Sequence, residues 1–398
     1  MQAVLLVAGR STRTYPLTLT RPKPLLPLVN RPLIEHSLEQ MTGLFDQVIL
    51  IVGYRQEMIR QHLGSRYKGM QLIYQVQAEQ LGTGHAVLQA RPHISGPFVA
   101  LNGDDLFDRV DLERLSQYDY AALAKRVPDP SQYGVFRVDG KNRVLDLVEK
   151  PKSYLGDLAN IGGYILQPEF FDALERTPKS ERNEIEITST IQSVAQTAPF
   201  TALPIRGNWR PTGYAWDLLG HQEALLSSME SSKCSGTVEK GALLTGPVII
   251  DDNSTIRSGA VIEGPAVIGR ECDIGPNCYI RKNTVVGDRC RIGQAVEIKN
   301  ALIMDDVQIA HLSYVGDSIV GCSCNLGAGT ITANRRHDGN TIRSEIKGEL
   351  IDTGRAKLGA ILGDGVHTGI HTSIYPGRKL WPGTWTRPGA VVDRDLIS

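Results

Sequence analysis

The chain has 398 residues, of which 41% are hydrophobic, and its formal net charge at pH 7 is zero. This length exceeds the size at which a single core usually stops growing, so two domains are expected, and the composition excludes a disordered chain. The balanced charge argues against electrostatic capture of nucleic acid or an anionic membrane, so neither is an expected partner. No apolar run has the length of a membrane span, and the first residues are typical of a buried strand rather than a signal peptide, which predicts a cytoplasmic protein.

The first half of the chain alternates strand-like and helix-like segments. Its apolar runs and its segments with helical spacing follow one another at residues 3–8, 33–44, 47–52, 55–63, 71–76, 83–91 and 98–101. This alternation predicts an α/β domain with a Rossmann-like, mostly parallel mixed sheet and helices on both faces. Ligands of such sheets bind at the carboxyl ends of the strands, where the loops after Ala8 and Leu101 lie.

A polar stretch then separates two patterns. We interpret residues 228–240 as a linker between a domain of residues 1–227 and a second domain of residues 241–398. In the second domain, aliphatic residues recur every six positions, in the run Ile250, Ile256, Ile262, Ile268, Ile274, Ile280, Val286, Ile292 and Ile298. A period of six with turn glycines is typical of a left-handed parallel β-helix, in which three short strands form each coil and the repeated residue points inward.

The same repeat accounts for three of the six cysteines. Cys272, Cys278 and Cys290 each stand two positions before a repeated aliphatic residue. This position favours small apolar packing residues rather than metal ligands or disulfides. The repeat is interrupted at residues 334–354, which predicts an excursion from the stack and a binding edge beside it.

A loop with glycine, prolines and basic residues follows the first strand. Gly9 allows the backbone to approach a phosphate closely, and Arg13 and Lys23 are cations suited to a triphosphate. The whole string LLVAGRSTRTYPLTLTRPKPLLPLVNRPL resembles the signature of sugar-1-phosphate nucleotidyltransferases. The resemblance implies attack of a sugar-1-phosphate oxygen on the α-phosphorus of a nucleoside triphosphate, with Mg²⁺, Arg13 and Lys23 neutralising charge as pyrophosphate leaves.

Further motifs of this family follow in the same order. QLGTGHA at residues 80–86 resembles the nucleobase-binding stretch of uridylyltransferases, which favours UTP and leaves dTTP open. In the NGD motif, Asp104 is the predicted Mg²⁺ ligand, and its neighbour Asp105 is an alternative. The resemblance implies five nucleotide-binding residues, namely Ala8, Gly9, Gln80, Gly82 and Thr83. Its YG, EKP and N-x-G motifs imply sugar-phosphate contacts from Gly134, Glu149, Lys150 and Asn160.

Three positions bear on how far this half follows the family. Ser11 replaces a loop glycine, which is costly if the backbone there has a positive φ. Pro211 stands where the family has a metal-binding aspartate, and proline offers no ligand. Asp217 is expected at a helix start rather than at the metal. These departures keep open the alternative of a nucleotide-sugar-binding regulatory subunit with impaired nucleotidyl transfer.

The second domain carries its own cluster of motifs. HLSYVGD at residues 311–317 is followed by NLGAGTITAN at residues 325–334, and YIR and VEIK elements precede them. Together these strings resemble the acetyltransferase domain of the bifunctional N-acetylglucosamine-1-phosphate uridylyltransferase/glucosamine-1-phosphate acetyltransferase family. The long segment after Asn334 resembles archaeal-type members.

This second resemblance implies a role for each polar residue. His311 is the predicted base for the amine of glucosamine-1-phosphate, acetyl-CoA is the co-substrate, and the backbone N–H of Ala328 is the predicted donor to the oxyanion. The implied sugar-phosphate contacts are Arg281, Lys299, Tyr314, Asn325 and Asn334. We interpret the other nearby histidines as surface or coil residues, namely His337, His367 and His371.

We therefore predict a bifunctional enzyme that acetylates glucosamine-1-phosphate and couples the product to UTP, giving UDP-N-acetylglucosamine and pyrophosphate. Its expected partners are small molecules, namely UTP or dTTP, sugar-1-phosphates and acetyl-CoA. The family resemblance also implies a homotrimer or a dimer of trimers. One further alternative is a single-activity sugar-1-phosphate nucleotidyltransferase, such as a thymidylyl- or uridylyltransferase, with a purely structural β-helix.

Overall fold

The computed structural model describes residues 1–397, so that Ser398, the last residue of the predicted second domain, lies outside the described residues. The chain forms two compact units. The first comprises residues 1–10, 22–25 and 33–211, and the second comprises residues 11–21, 26–32 and the chain from Thr212 onward.

The first unit contains a ten-stranded sheet and a short strand pair. In chain order, the strands up to residue 211 are β1 Gln2–Leu6, β2 Pro27–Leu28, β3 Arg31–Pro32, β4 Gln47–Val52, β5 Arg66–Tyr67, β6 Met70–Val76, β7 Phe98–Asn102, β8 Asp105–Phe107, β9 Ala121–Arg126, β10 Gly134–Val138, β11 Val144–Glu149, β12 Leu158–Leu166, β13 Thr201–Pro204 and β14 Trp209–Pro211. β2 and β3 pair with each other in the second unit.

The large sheet is mixed and has a parallel centre. Its order is β11-β10-β12-β7-β1-β4-β6-β5, with β9 paired to β12 and to β13. β1 is parallel to both β4 and β7, and β4 is parallel to β6, whereas β12 is antiparallel to β7. This topology confirms the predicted α/β class with a mixed, Rossmann-like sheet.

Helices cover both faces of this sheet. The α-helices of residues 1–397 are α1 Leu33–Met41, α2 Gln56–Leu63, α3 Thr83–Leu88, α4 Arg109–Leu115, α5 Phe170–Arg176, α6 Ile187–Ala195 and α7 Asp217–Leu226. Leu5 of β1 packs in one core with α1, α2 and α4, and its neighbour Val4 packs in the other core with α3, α5 and α6. Because successive strand residues face opposite sides, the continuous apolar runs of the sequence fill both cores.

The second unit is dominated by three parallel sheets that form a left-handed β-helix. The first sheet stacks Lys233–Cys234, Val248–Ile250, Ala266–Ile268, Thr284–Val286, Leu302–Ile303, Ile319–Val320, Ile361–Leu362 and Lys379–Leu380. The second stacks Thr237–Val238, Thr255–Ile256, Asp273–Ile274, Arg291–Gln294, Gln308–His311, Asn325–Leu326 and His367–Thr368. The third stacks Leu243–Thr245, Val261–Glu263, Tyr279–Ile280, Glu297–Lys299, Tyr314–Gly316, Ile331–Thr332, Ser373–Ile374 and Val391–Val392.

The six-residue repeat points into the core of this β-helix, as predicted. The repeated residues from Ile250 to Ile298 have no exposed surface, and they share one core with Cys272, Cys278 and Cys290. The six cysteines are all free thiols, which agrees with the interpretation of these three as small packing residues. The predicted excursion is also present, as an antiparallel hairpin of strands Arg343–Ile346 and Glu349–Asp352.

The division into units differs from the predicted domain bounds in two respects. The first coil begins at Lys233, within the segment interpreted as a linker, because Lys233–Cys234 already pairs with the next coil. In addition, α7 and parts of the N-terminal loop belong to the second unit. The Gln222 amide of α7 donates to the carbonyls of Asn283 and Ala301 at 2.8 and 3.0 Å, and Asn30 Nδ2 donates to the Val286 carbonyl at 2.8 Å.

Within residues 1–397, no helix combines the length and the apolarity that a membrane crossing requires.

Candidate active sites

The first candidate site lies at the carboxyl ends of the central parallel strands. The Ala8 carbonyl accepts hydrogen bonds from the Gln80 side-chain amide at 2.8 Å and from the Tyr54 N–H at 3.1 Å. Ala8 and Gln80 were predicted from separate motifs, and the structure places them in direct contact. One N–H of the Gln80 side-chain amide is used by Ala8, which leaves its second N–H and its carbonyl oxygen for the predicted contact with a nucleobase.

The QLGTGHA segment is fixed by close packing against residues 184–187. Gly82 has a φ of 100°, and a Cβ added there would lie 2.7 Å from the Ile185 carbonyl oxygen, so that glycine is required. Thr83 begins α3, and its hydroxyl accepts a 3.4 Å hydrogen bond from the Ile187 N–H. The segment therefore has one defined conformation beside Gln80.

An ion pair and a buried acid follow β7. Lys23, which is 5% exposed, pairs through Nζ with Asp104 Oδ2, and the Asp104 side chain is 39% exposed. Asp105 is buried, which raises the pKa of its carboxyl to about 8; nearby Asp104 adds to this rise and Lys23 opposes it. Lys23 and Asp104 were predicted from motifs far apart in sequence, and the structure brings them together.

The donor set at this position fits a divalent cation only in part. Within residues 1–397 no group of three or more acidic, histidine or cysteine side chains could hold a metal ion, and Pro211 contributes no ligand. Mg²⁺ is nonetheless commonly held by one or two carboxylates, with water and substrate phosphates completing the octahedron. Asp104, the more exposed carboxylate here, fits that mode.

The predicted sugar-binding residues lie on β10, β11 and β12. Gly134 pairs with Glu149, and a Cβ at Gly134 would lie 3.1 Å from Glu149 Oε2, so that this position favours glycine. Asn160 accepts from the Gly162 N–H at 3.3 Å and donates to the Tyr164 hydroxyl at 2.9 Å. The Lys150 N–H donates to the Tyr133 carbonyl at 2.9 Å, which holds the EKP turn against the YG motif.

Sequence reasoning missed a charged group beside Glu149. Arg182 lies 3.5 Å from Glu149 and 2.8 Å from Glu186. Burial raises the pKa of Glu149, nearby Glu186 raises it further, and Arg182 opposes both effects. No motif marks Arg182, because its position depends on the fold of the segment before α6.

The loop residues 11–21 belong to the second unit. Arg13 lies over the Tyr214 ring at 5.4 Å, and Tyr214 stacks on Trp216 with ring centroids 4.6 Å apart. Asp217 begins α7 and accepts the Tyr214 N–H at 2.7 Å, which confirms its predicted place at a helix start.

Ser11 has a positive φ, the conformation that is costly for a residue other than glycine. Its φ and ψ are 52° and 49°, which is the left-handed region that glycine adopts most easily. The conformation is held by the Ser11 carbonyl, which accepts from the Thr14 and Thr18 hydroxyls at 2.6 and 2.9 Å and from the Thr14 N–H at 3.1 Å. The loop thus keeps its shape without the family's glycine.

We expect Ser11→Gly to stabilise the protein by about 1 kcal/mol, since glycine removes the left-handed penalty while the carbonyl contacts remain. The measurement is the urea midpoint of the full chain, with the exposed Ser228→Gly as the matched control, which should be neutral or destabilising. A lower midpoint for Ser11→Gly would contradict this account.

The second candidate site surrounds one corner of the β-helix. His311 ends a strand of the second sheet, its side chain is exposed, and Leu312 and Ser313 turn the chain towards Tyr314 in the third sheet. The His311 carbonyl is anchored by the Ser313 hydroxyl at 2.8 Å and by the Gly329 N–H of the next coil at 3.4 Å. The predicted base is therefore set against the Gly-Ala-Gly turn.

That turn presents one unused backbone donor. The N–H groups of Gly327 and Gly329 bond to the carbonyls of Thr368 and His311, respectively, and the Ala328 carbonyl accepts from the His371 N–H at 2.8 Å. In the described part of the chain, by contrast, no group accepts from the Ala328 N–H. The donor predicted for the oxyanion is thus available, in a turn whose other groups are fixed.

A buried carboxylate organises several of the predicted sugar-phosphate contacts. Asp317 is 3% exposed and accepts from Asn334 Nδ2 at 2.6 Å and from Asn300 Nδ2 at 2.8 Å, and Lys299 Nζ lies 3.3 Å from it. Asn334 Nδ2 also donates to the Tyr314 hydroxyl at 3.0 Å. Lys299, Tyr314 and Asn334, three of the predicted sugar-phosphate contacts, are therefore brought together around Asp317, an aspartate of the HLSYVGD motif for which no role was predicted.

Two predicted contacts lie outside this network. Arg281 pairs with Glu297 at 3.1 Å and lies over the Tyr279 ring at 5.6 Å, one coil before Lys299 on the third sheet. Asn325 is exposed on the second sheet, where it pairs with Gln308 of the His311 strand. His371, interpreted as a coil residue, has its ring against Gly329, since a Cβ there would lie 2.5 Å from Nδ1. Like Asp317, His371 therefore lies at the candidate site although the sequence did not indicate a role for it there.

Comparison with known proteins finds relatives of both halves of the chain. Residues 2–228 match the nucleotidyl transferase family model, and residues 262–376 match that of the GMPPB C-terminal domain. A protein of Methanococcus maripaludis called bifunctional protein GlmU is 40% identical over 398 residues, covering 100% of this chain and 95% of that one. The bifunctional sugar-1-phosphate nucleotidylyltransferase/acetyltransferase of Sulfurisphaera tokodaii is 34% identical, with 100% and 98% covered.

The chain belongs to this bifunctional nucleotidyltransferase/acetyltransferase family. The family resemblance and the enzyme class predicted from the sequence are confirmed, and neither alternative function is favoured. Methanocaldococcus jannaschii has another relative called bifunctional protein GlmU, which is 38% identical over 398 residues and is 96% covered.

A solved structure supports the fold of the first half. The crystal structure of UDP-glucose pyrophosphorylase complexed with UDP-glucose aligns with a TM-score of 0.52 and 26% identity, covering 56% of this chain and 97% of that protein. The similarity therefore covers an entire nucleotidyltransferase fold.

Proposed function

We propose that the second unit transfers the acetyl group of acetyl-CoA to the amine of glucosamine-1-phosphate, and that the first unit couples the product to UTP, giving UDP-N-acetylglucosamine and pyrophosphate. The observation that carries the acetyl transfer is the unused Ala328 N–H, one coil from His311. The side chain of His311, the predicted base, is exposed beside this turn, which supports a reaction site over a purely structural β-helix.

In the acetyl transfer, His311 accepts a proton from the substrate amine, whose nitrogen attacks the thioester carbonyl carbon. The oxygen becomes an oxyanion and accepts a hydrogen bond from the Ala328 N–H. The carbon–sulfur bond then breaks, and coenzyme A leaves as the thiolate and takes up a proton. Asp317 acts indirectly, because it holds Lys299 and Asn334 in place for the sugar phosphate.

In the nucleotidyl transfer, the protein positions the reactants and stabilises charge. Gln80 and Gly82 place the base, Lys23 supplies a cation for the phosphates, and Asp104 would hold Mg²⁺, which lowers the charge on the triphosphate. Ala8, Gly9 and Thr83 as nucleotide contacts, Gly134, Glu149, Lys150 and Asn160 as sugar contacts, and Arg13 as a second cation remain predictions.

The test is a paired assay on the purified full chain. Acetyl-CoA with glucosamine-1-phosphate should release free thiol, and UTP with Mg²⁺ and N-acetylglucosamine-1-phosphate should release pyrophosphate. Replacing UTP with dTTP in the second tube measures the nucleotide preference. Thiol release without pyrophosphate would leave an acetyltransferase joined to a binding domain, and pyrophosphate without thiol would leave a nucleotidyltransferase with a structural β-helix.

The predicted homotrimer, or dimer of trimers, is supported by large apolar side chains exposed on the β-helix. Leu312, Ile370 and Trp385 are 61%, 51% and 66% exposed. Exposed apolar side chains mark an association site where they form a contiguous patch. Light scattering should give three or six chain masses, and a monomer would contradict the proposal. The cytoplasmic location stays a prediction.

A further inference from the structure

The substitution of the family's aspartate by Pro211 has a counterpart on the neighbouring strand. β14 and β8 are antiparallel, and their register pairs Trp209 with Phe107, Arg210 with Leu106 and Pro211 with Asp105. Directly opposite residues of an antiparallel pair project from the same face, with Cβ atoms about 5 Å apart. The carboxylate of Asp105 therefore lies on the face of the strand pair to which an aspartate at position 211 would contribute.

Asp105 is unusual for a structural acid. Its residue exposure is 7%, and the Asn102 amide reaches its Oδ2 only at 3.4 Å, at the long end of hydrogen bonding. The Trp209 side chain is its other hydrogen-bonding neighbour, and the ammonium group of Lys23, which pairs with Asp104, lies nearby. A buried carboxylate normally has several strong donors, because burial without them is costly. The two side-chain donors of Asp105, from Asn102 and Trp209, are both neutral and are few for a buried carboxylate.

Asp104 and Asp105 together place two carboxylates beside the end of β7. Asp104 is partly exposed and Asp105 lies behind it against β14. Mg²⁺ and Mn²⁺ take oxygen ligands, and one or two carboxylates are enough when substrate phosphates supply others.

We propose that Asp105 is the second protein ligand of the catalytic divalent cation, and that it replaces, from the opposite strand, the aspartate that is Pro211 in this chain. This inference rests on the proposed nucleotidyl transfer. It explains how the first unit keeps a two-carboxylate site although position 211 has lost its ligand. It also predicts that an aspartate introduced at position 211 can take over the role of Asp105 as a ligand.

The test measures Mn²⁺ binding directly, from the electron paramagnetic resonance signal of free Mn²⁺ during titration of the full chain saturated with UDP-N-acetylglucosamine. Asp105→Asn should weaken Mn²⁺ binding at least about tenfold, a loss of about 1.4 kcal/mol. The double variant Asp105→Asn with Pro211→Asp should recover most of that affinity. Asp157→Asn, an exposed acid of the same unit paired with Arg126, is the matched control and should bind Mn²⁺ normally.

Several outcomes would overturn the inference. Unchanged Mn²⁺ affinity in Asp105→Asn, with pyrophosphate release intact, would show that Asp105 is not a ligand while the proposed function stands. A double variant that fails to recover affinity would show that the two positions are not equivalent. Conversely, Mn²⁺ binding that depends on Asp105 in a protein that releases no pyrophosphate would keep the inference and remove the function. If Asp105→Asn does not fold, Asp105→Ser in the Pro211→Asp background gives the same comparison.

Discussion

Replacing His311 with glutamine should lower acetyl transfer by roughly 10²–10⁴-fold, the usual contribution of a general base. Glutamine retains hydrogen bonding and similar volume but cannot take up a proton at neutral pH. The side chain of His311 is exposed, so its loss creates no cavity, and the backbone contacts of its carbonyl remain. The measurement is free thiol release from acetyl-CoA with saturating glucosamine-1-phosphate.

Two controls make this result specific. His62→Gln changes an exposed histidine of the first unit, which pairs with Glu35, and should leave acetyl transfer within about twofold, since surface substitutions away from the site have small effects. Pyrophosphate release by His311→Gln should be unchanged. Equal loss of both activities would mean that His311 supports the fold or that the two reactions share one site, and the two-site account would then fail.

Replacing Lys23 with methionine should lower pyrophosphate release by roughly 10²–10³-fold, the range found when one preorganised charge-stabilising group is removed. Lys23 is 5% exposed, and a cation held in such a place acts on phosphate charge with little screening by water. Methionine keeps the unbranched side-chain volume. Its partner Asp104 is partly exposed, so it remains hydrated when the ammonium is lost and the variant should fold.

The matched control is Lys68→Met, which removes an exposed lysine paired with Glu39 in the same unit. It should leave pyrophosphate release nearly unchanged, because exposed pairs contribute little. Acetyl transfer by Lys23→Met should equal that of the unmodified protein. If Lys23→Met retained full uridylyl transfer, Lys23 would be a structural partner of Asp104 and the charge-stabilising role would be excluded.

Local patterns of the chain predicted most of the fold. The six-residue repeat identified the β-helix and its inward residues, because the same positions of every six-residue turn face the core. The alternation of apolar runs with helical segments likewise identified the mixed sheet. The domain bounds were less well defined, since the position of α7 depends on contacts such as that of Gln222 with Asn283 and Ala301, which lie far away in sequence.

The candidate sites show the same division. Motifs indicated Lys23, Asp104, His311 and Asn334, because their residue types and spacing carry the chemistry. No role at a site was predicted for Asp317, His371 or Arg182. The residue type alone does not indicate such a role, which depends on the neighbours that the fold provides. From the sequence, serine at position 11 is costly only if the backbone there has a positive φ. The structure shows that it has, with a φ of 52°.

The sequence by itself determined the two fold types, the family and the residues that could perform each reaction, since these depend on periodicity and on short motifs. The tertiary structure decided which groups act together. Pairing of β14 with β8 set Asp105 opposite Pro211, and coil stacking left the Ala328 N–H unpaired beside His311. Both depend on how segments far apart in sequence are aligned with each other. Local sequence does not specify this alignment, because every strand offers the same backbone donors and acceptors.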